Sequence, residues 1–82
     1  MAMKARIRIT LKDGVLDPQG KAIGDALHSL GFAGVHEVRQ GKYIELDLAE
    51  TNEASARDQI ERACRELLAN TVIENYSYEI VP

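Results

Sequence analysis

From Met3 to Leu11 the apolar residues Met3, Ala5, Ile7, Ile9 and Leu11 alternate with Lys4, Arg6, Arg8 and Thr10. A period of two over nine residues is a strand with one buried face, and it obliges the remaining chain to supply a layer that covers that face. With 82 residues in all, there is room for one domain (1–82) and no second core or long linker. Hydrophobic residues make up 45% and charged residues 28%, so the chain carries enough apolar surface to fold and is not of a disordered type.

Beyond the strand the chain is punctuated by turn chemistry. Asp13-Gly14-Val15-Leu16 reads as a turn, and Asp17-Pro18 as an N-cap followed by proline in the first helical position, where its missing N–H has no partner to lose. The helix that starts there has an apolar stripe of Ala22, Ile23, Ala26, Leu27 and Leu30, and Gly31 is the left-handed residue that ends it, with Phe32 returning towards Leu27. Gly24, within that helix, points to the close approach of a neighbouring backbone. Val35 to Arg39 and Tyr43 to Ala49 flank Gln40-Gly41-Lys42 and predict a hairpin. A second helix comes next, with Thr51 or Asn52 as cap and Ala56, Ile60, Ala63, Cys64, Leu67 and Leu68 as its buried stripe. On its outer face Asp58 precedes Arg62, and Glu61 precedes Arg65, by four residues. Asn70 ends it, and Val72 to Val81 is the last strand, closed by Pro82.

The predicted order is β-α-β-β-α-β. Two strand–helix–strand halves joined by a hairpin predict an α+β, ferredoxin-like two-layer sandwich, with an antiparallel sheet and two helices on one face. The opposite sheet face carries Arg6 and Arg8 beside Tyr43, Glu45 and Asp47, which are placed to pair across strands; that face is either solvated or buried in an oligomer. A layer this small leaves a sheet face and edge strands open, which motivates self-association.

The same residues exclude several classes of function. A net charge of −3 is the wrong sign for a nucleic-acid-binding domain, and Tyr43 alone is too little aromatic surface to stack bases on a sheet. The apolar runs are far short of the roughly 20 residues that cross a bilayer. Met1-Ala2-Met3-Lys4-Ala5-Arg6 lacks the apolar core of a secretion signal, so the cytoplasm is the expected compartment. The lone Cys64 closes no intrachain disulfide and no Cys-x-x-Cys metal or redox pair, and its helical spacing marks a small core residue. His28 and His36 have no nucleophile or carboxylate set beside them by spacing, so neither a catalytic nor a metal site is expected. Asp17-Pro18-Gln19-Gly20 at a helix start serves capping, because its acidic residues oppose phosphate and no phosphate-loop pattern is present. Val15 and Leu16 are large aliphatics in a turn, and they either fold back over the core or meet a partner.

The stretch Leu11-Lys12-Asp13-Gly14-Val15-Leu16-Asp17-Pro18-Gln19-Gly20-Lys21-Ala22-Ile23 resembles the PurS family, the small subunit of bacterial and archaeal phosphoribosylformylglycinamidine synthase. The resemblance continues through Leu30-Gly31-Phe32, Val38-Arg39-Gln40-Gly41-Lys42-Tyr43-Ile44-Glu45-Leu46 and Leu67-Leu68-Ala69-Asn70 to Val72-Ile73-Glu74-Asn75-Tyr76. Thr71 and Asn75 depart from the family pattern, which has proline and aspartate there.

That resemblance implies a role in purine biosynthesis as a subunit of a carbon–nitrogen ligase. The complex turns formylglycinamide ribonucleotide, ATP and glutamine into formylglycinamidine ribonucleotide, ADP, phosphate and glutamate. It further implies a glutaminase subunit and a large synthetase subunit as partners, with ATP and magnesium on the synthetase and no cofactor in this chain. The small subunit would bridge the two and help ammonia pass, and would itself pair as a homodimer or a dimer of dimers. The alternative of another class is an ACT-like regulatory module that binds a small effector at a dimer interface. Motif density in turns, where the fold alone demands little side-chain identity, selects Lys12, Val15, Leu16, Asp17 and Gln19 in the first loop, with Arg39, Lys42 and Tyr43 at the expected hairpin, as partner contacts.

Overall fold

In the computed structural model, which describes residues 3–49 and 52–81, the alternating run becomes β1 (Met3–Leu11). It is the middle strand of a three-stranded antiparallel sheet, between β2 (Gly41–Leu48) and β3 (Glu74–Val81). Being flanked on both sides buries it: Ala5, Ile7 and Ile9 have no exposed surface, while Ile44, Leu46, Leu48, Tyr76, Tyr78 and Ile80 on the edge strands are only half-buried. Ile7 stands opposite Ile44 and Tyr78, and Arg6 opposite Glu45 and Glu79, so the pleat sends apolar side chains to one face and charges to the other.

On the apolar face lies α2 (Glu53–Ala63). The Asn52 side chain caps it by accepting from the Ser55 amide at 3.1 Å; the other expected cap, Thr51, lies outside the described residues, as do Met1, Ala2 and Pro82. Ala56 and Ile60 of α2 and Cys64 just after it are buried, Ile60 and Cys64 in one cluster with Ala5, Ile7 and Ile9 of β1, and Tyr76 and Tyr78 of β3 reach up to α2. The helix then widens into a π turn, Cys64–Leu68, closed by the Ala69 amide donating to the Cys64 carbonyl at 3.0 Å. A wider turn rotates the residues within and after it away from the α-helical phase. Leu67, expected in the buried stripe, is consequently 82% exposed, and Ala69 is buried in its stead. The last strand begins at Glu74 rather than Val72, because the Asn70 carbonyl accepts from the Ile73 and Glu74 amides and its side chain from the Val72 amide, holding that stretch in a turn.

The first helix, α1 (Pro18–Ser29), has the ends its sequence specifies. Asp17 accepts from the Gly20 amide at 2.9 Å. At the other end Gly31 adopts φ +98°, with the Phe32 amide donating to Leu27 and the Gly31 amide to His28 in a Schellman closure. Its flank differs from expectation. Ala22, Ile23, Ala26 and Leu30 are exposed and Leu27 only half-buried, since α1 does not pack on the sheet as α2 does.

The segment expected as a second strand, Val35 to Arg39, is in its expected place along the chain but forms no strand, so the Gln40-Gly41-Lys42 hairpin is absent. Both flanks of β1 are already taken, and the segment instead runs back along α1: His28 Nε2 donates to the Val35 carbonyl at 2.6 Å. The α+β class, the antiparallel sheet and the two helices are as the pattern predicts, but within one chain only α2 covers the sheet. The result is an elongated molecule of 48 × 26 × 14 Å. Its radius of gyration is 16.3 Å, where a compact chain of this length has about 12 Å.

Candidate functional site

The loop from β1 into α1 and the segment that returns to β2 meet at one end of the sheet, and side chains lock them together. Asp17 uses both carboxylate oxygens: one accepts from Gly20 in its capping role, and the other accepts from the Gln40 amide at 2.8 Å. Those two amides, Gln40 foremost, hold its pKa below the usual carboxylate value, with the Arg39 charge adding in the same direction. Arg39 crosses the other way. Its guanidinium donates to the Leu11 carbonyl at 2.8 Å and to the Lys12 carbonyl at 3.1 Å, and pairs with Glu37 at 3.5 Å. The approach is close enough to require glycine: a Cβ on Gly20 would stand 2.5 Å from both the Asp17 carboxylate and the Val38 carbonyl. The helix–backbone contact anticipated at Gly24 therefore occurs one turn earlier, at Gly20; a Cβ on Gly24 would meet only the Val38 side chain, at an ordinary 3.6 Å.

Seven of the eight residues selected from sequence gather at this junction. Lys12, Val15, Leu16, Asp17 and Arg39 form its body, while Gln19 and Lys42 line an adjoining recess of about 190 Å³ together with Gln40 and Glu74. Lys42 pairs there with Glu74 at 3.4 Å, across the end of β1. Tyr43 is separate. It lies on the opposite sheet face, donating to Glu45 at 2.9 Å beneath the Arg8 guanidinium, which sits 5.9 Å from its ring centre. The two open possibilities for the loop aliphatics divide between them: Leu16 is 77% exposed, and Val15 is half-buried in a groove of about 550 Å³ between α1 and the returning segment.

Sequence reasoning missed two parts of this end of the molecule. The turn at 70–73 joins it through the Lys12 amide, which donates to the Ile73 carbonyl at 2.8 Å, and it adds the exposed side chains of Val72 and Ile73. The Asn70 and Glu74 spacing was a readable signal for that turn, since the Glu74 carboxylate accepts from the Asn70 amide at 2.7 Å. The second is a clamp between α2 and β3, where Tyr76 and Tyr78 donate to the two oxygens of Glu61 at 2.6 and 2.9 Å. These hydroxyls lower the Glu61 pKa, and Glu61 also pairs with Arg65 at 3.6 Å, as the i,i+4 spacing predicts. Arg62 reaches forward to Glu66 at 2.9 Å rather than back to Asp58.

On the charged sheet face Arg6 meets the expected Glu45 and Arg8 the expected Tyr43 ring, while the carboxylate beside Arg8 is Glu79 of β3. Arg6 stands 3.8 Å from Glu45, and Glu79 of β3 adds contacts to Arg6 and Arg8 at 3.8 and 3.7 Å. What the arrangement offers among the described residues is hydrogen bonding and charge. Cys64 is fully buried and burial pushes its thiol pKa up, which is the environment of an inert core cysteine. Among the described residues no group of three or more His, Cys, Asp and Glu could hold a metal ion, and no helix is long and apolar enough to cross a membrane.

Comparison with known proteins places these features in a family. A family model described as PurS, phosphoribosylformylglycinamidine (FGAM) synthase, matches residues 4–82. The phosphoribosylformylglycinamidine synthase subunit PurS of Synechocystis sp. is 55% identical over 75 residues, covering 92% of this chain and 75% of that one. Among solved structures, Bacillus subtilis PurS superposes with a TM-score of 0.86 at 44% identity, covering 98% of this chain and 99% of the other. A chain of PurLQS from Thermotoga maritima does so with a TM-score of 0.90 at 31% identity, covering 99% of each.

Proposed function

The chain belongs to the PurS family of phosphoribosylformylglycinamidine synthase subunits, and from that premise we propose that it is the accessory subunit that couples the glutaminase and synthetase parts of the enzyme. It is a subunit of a glutamine-dependent carbon–nitrogen ligase of purine biosynthesis. The observation that carries the coupling role is the whole-chain likeness to a component of the Thermotoga maritima PurLQS assembly. In that role the chain holds the partner subunits in register and assists ammonia transfer from the glutaminase to the synthetase, where ATP and magnesium act. The partner-facing surface is the junction end: Lys12, Val15, Leu16, Gln19 and Lys42 supply contact, while Asp17 and Arg39 fix the loop that presents them. Tyr43 contributes from the charged sheet face. The chain works as one domain, in the cytoplasm, as a dimer or a dimer of dimers. An effector-binding module of similar topology draws no support from these likenesses.

The test is synthesis of formylglycinamidine ribonucleotide by the synthetase and glutaminase with and without this chain, driven either by glutamine or by free ammonia. Loss of the glutamine-driven rate alone on omission is the expected result. If neither rate responds while both partners are active, the coupling role is wrong.

A further inference from the structure

Glu74 is a charged residue where the alternation of β3 calls for an apolar one. It precedes Tyr76, Tyr78 and Ile80 on the helix side of the sheet and stands opposite Leu11. Its side chain is only 10% exposed, whereas the acidic members of the other ion pairs among the described residues are 37% exposed or more. Desolvating a carboxylate offsets most of what its ion pair gains, so an apolar residue of like size would hold the strand as well. What Glu74 adds is connection. One oxygen accepts from the Asn70 amide at 2.7 Å, and the other lies 3.4 Å from Lys42 Nζ on β2, so the carboxylate joins the 70–73 turn to the far strand across the end of β1. The turn is tied further by the Val72 amide donating to the Asn70 side chain at 3.1 Å, and by the Lys12 amide donating to the Ile73 carbonyl at 2.8 Å. Bonded in this way, Val72 is nevertheless 80% exposed, and the Lys12 bond sets the turn next to the loop that keeps Leu16 exposed.

We infer that Glu74 is a positioning residue for assembly with the partner subunits: acting through Asn70, it fixes the 70–73 turn so that Val72 enters an apolar pocket of one of them. The surroundings favour a different subunit over a second copy. Val72 and Leu16 are set in segments whose exposed residues include the polar Asp13, Asn70 and Thr71. Single apolar anchors in a polar setting are the makeup of a contact between separately folded subunits, whereas permanent pairing of like chains buries a more continuous apolar area. A side chain already fixed in its bound position also loses little freedom on docking, and fixing it is what the carboxylate does. The inference rests on the coupling role proposed above and deepens it by adding a residue and a turn to the partner-facing end.

The test is glutamine-driven synthesis by the synthetase and glutaminase, titrated with the unmodified chain, with Glu74→Gln or with Val72→Ser, and urea midpoints of the three chains are measured alongside. Glu74→Gln keeps an oxygen for the Asn70 amide and loses the pair with Lys42, which is 60% exposed and stays solvated, so no buried charge is left unpaired. Val72→Ser alters a side chain that packs on little of its own chain. Each variant is expected to raise the half-saturating concentration about tenfold, with the plateau rate retained and the urea midpoint unchanged. An unchanged half-saturating concentration for either variant, while the unmodified chain stimulates, overturns this inference and leaves the coupling role standing. So does a lowered urea midpoint for Glu74→Gln, which would make the carboxylate a residue of the fold alone. If the unmodified chain itself gives no stimulation while free ammonia shows the synthetase to be active, the coupling role and this inference fail together.

Discussion

The two helices are built alike and end up in different places. Both are capped by an Asx side chain and amphipathic to a similar degree, and α1 is the more apolar of the two. Yet α2 and the π turn that continues it bury Ala56, Ile60 and Cys64, the last two in one cluster with β1, whereas α1 buries only Gly20. The difference is one of tethering. After α2 the chain returns as β3 into an open edge of the sheet, and Glu61 is clamped by Tyr76 and Tyr78 of that strand. After α1 the chain returns as an unpaired segment whose polar groups are taken by α1 and its loop, and the helix stays with that segment. An amphipathic pattern states that a face is to be covered; it does not state by which part of which molecule.

The contrast is tested most severely from the α2 side. Ile60→Ala removes a fully buried side chain beneath α2 and is expected to lower unfolding stability by about 2–5 kcal/mol at any protein concentration, measured by urea denaturation. Ile23→Asp is its counterpart on α1. It should leave the circular dichroism and the urea midpoint of the chain nearly unchanged, because Ile23 is already 42% exposed; a loss of helicity instead would mean that α1 depends on its own sheet.

Two glycines of α1 locate the tether more finely. Gly20→Ala places a methyl group against the Val38 carbonyl and the Asp17 carboxylate, and overpacking of this kind costs about 1–3 kcal/mol. Gly24→Ala meets only the Val38 side chain at van der Waals distance and is expected to be neutral or stabilising by up to about 1 kcal/mol. Thermal melts of the two variants, with opposite signs, check that the approach is at the first turn of the helix.

Acid should loosen both tethers with the same sign. Asp17 and Glu61 have pKa values lowered in the folded chain, the first by backbone amides and the second by two tyrosine hydroxyls. A lowered folded pKa means that the stabilisation is in place above the ordinary carboxylate pKa near 4 and is lost as pH falls through the folded values. Urea midpoints measured from pH 7 downwards should therefore decline most steeply below about pH 4, and Glu61→Gln should flatten the decline. The smallest effect belongs to the charged sheet face, where Arg8→Ala removes an exposed pair with Glu79 and should change stability by less than about 1 kcal/mol.

Much of this is legible in the residues alone. The cap at Asp17, the left-handed Gly31, the buried Cys64 and the Arg6–Glu45 pairing come from local spacing, because caps, turns and cross-strand neighbours are decided by residues close together in the chain or in adjacent strands. The misread residues are those whose fate depends on distant partners. Val35 to Arg39 have strand composition but no free edge beside β1, and Leu67 has helical spacing but lies in a π turn that rotates it outwards. The junction residues stand out through their density in turns, yet Asp17 and Arg39 turn out to tie backbone to backbone.

The period of each element, the sign of its charge, the ends of α1 and the absence of paired cysteines are properties of the sequence alone, and its likeness over nearly the whole chain carries the family. The folded chain was needed to decide that α1 leaves its own sheet, that Gly20 rather than Gly24 is the point of contact, and that Tyr43 stands on the face opposite the junction. One cause underlies all three. Hydrophobic burial is non-directional and can be met by any apolar surface within reach, so the choice falls to the few directed bonds, at Asp17, Arg39 and His28, that fix which surfaces can be reached.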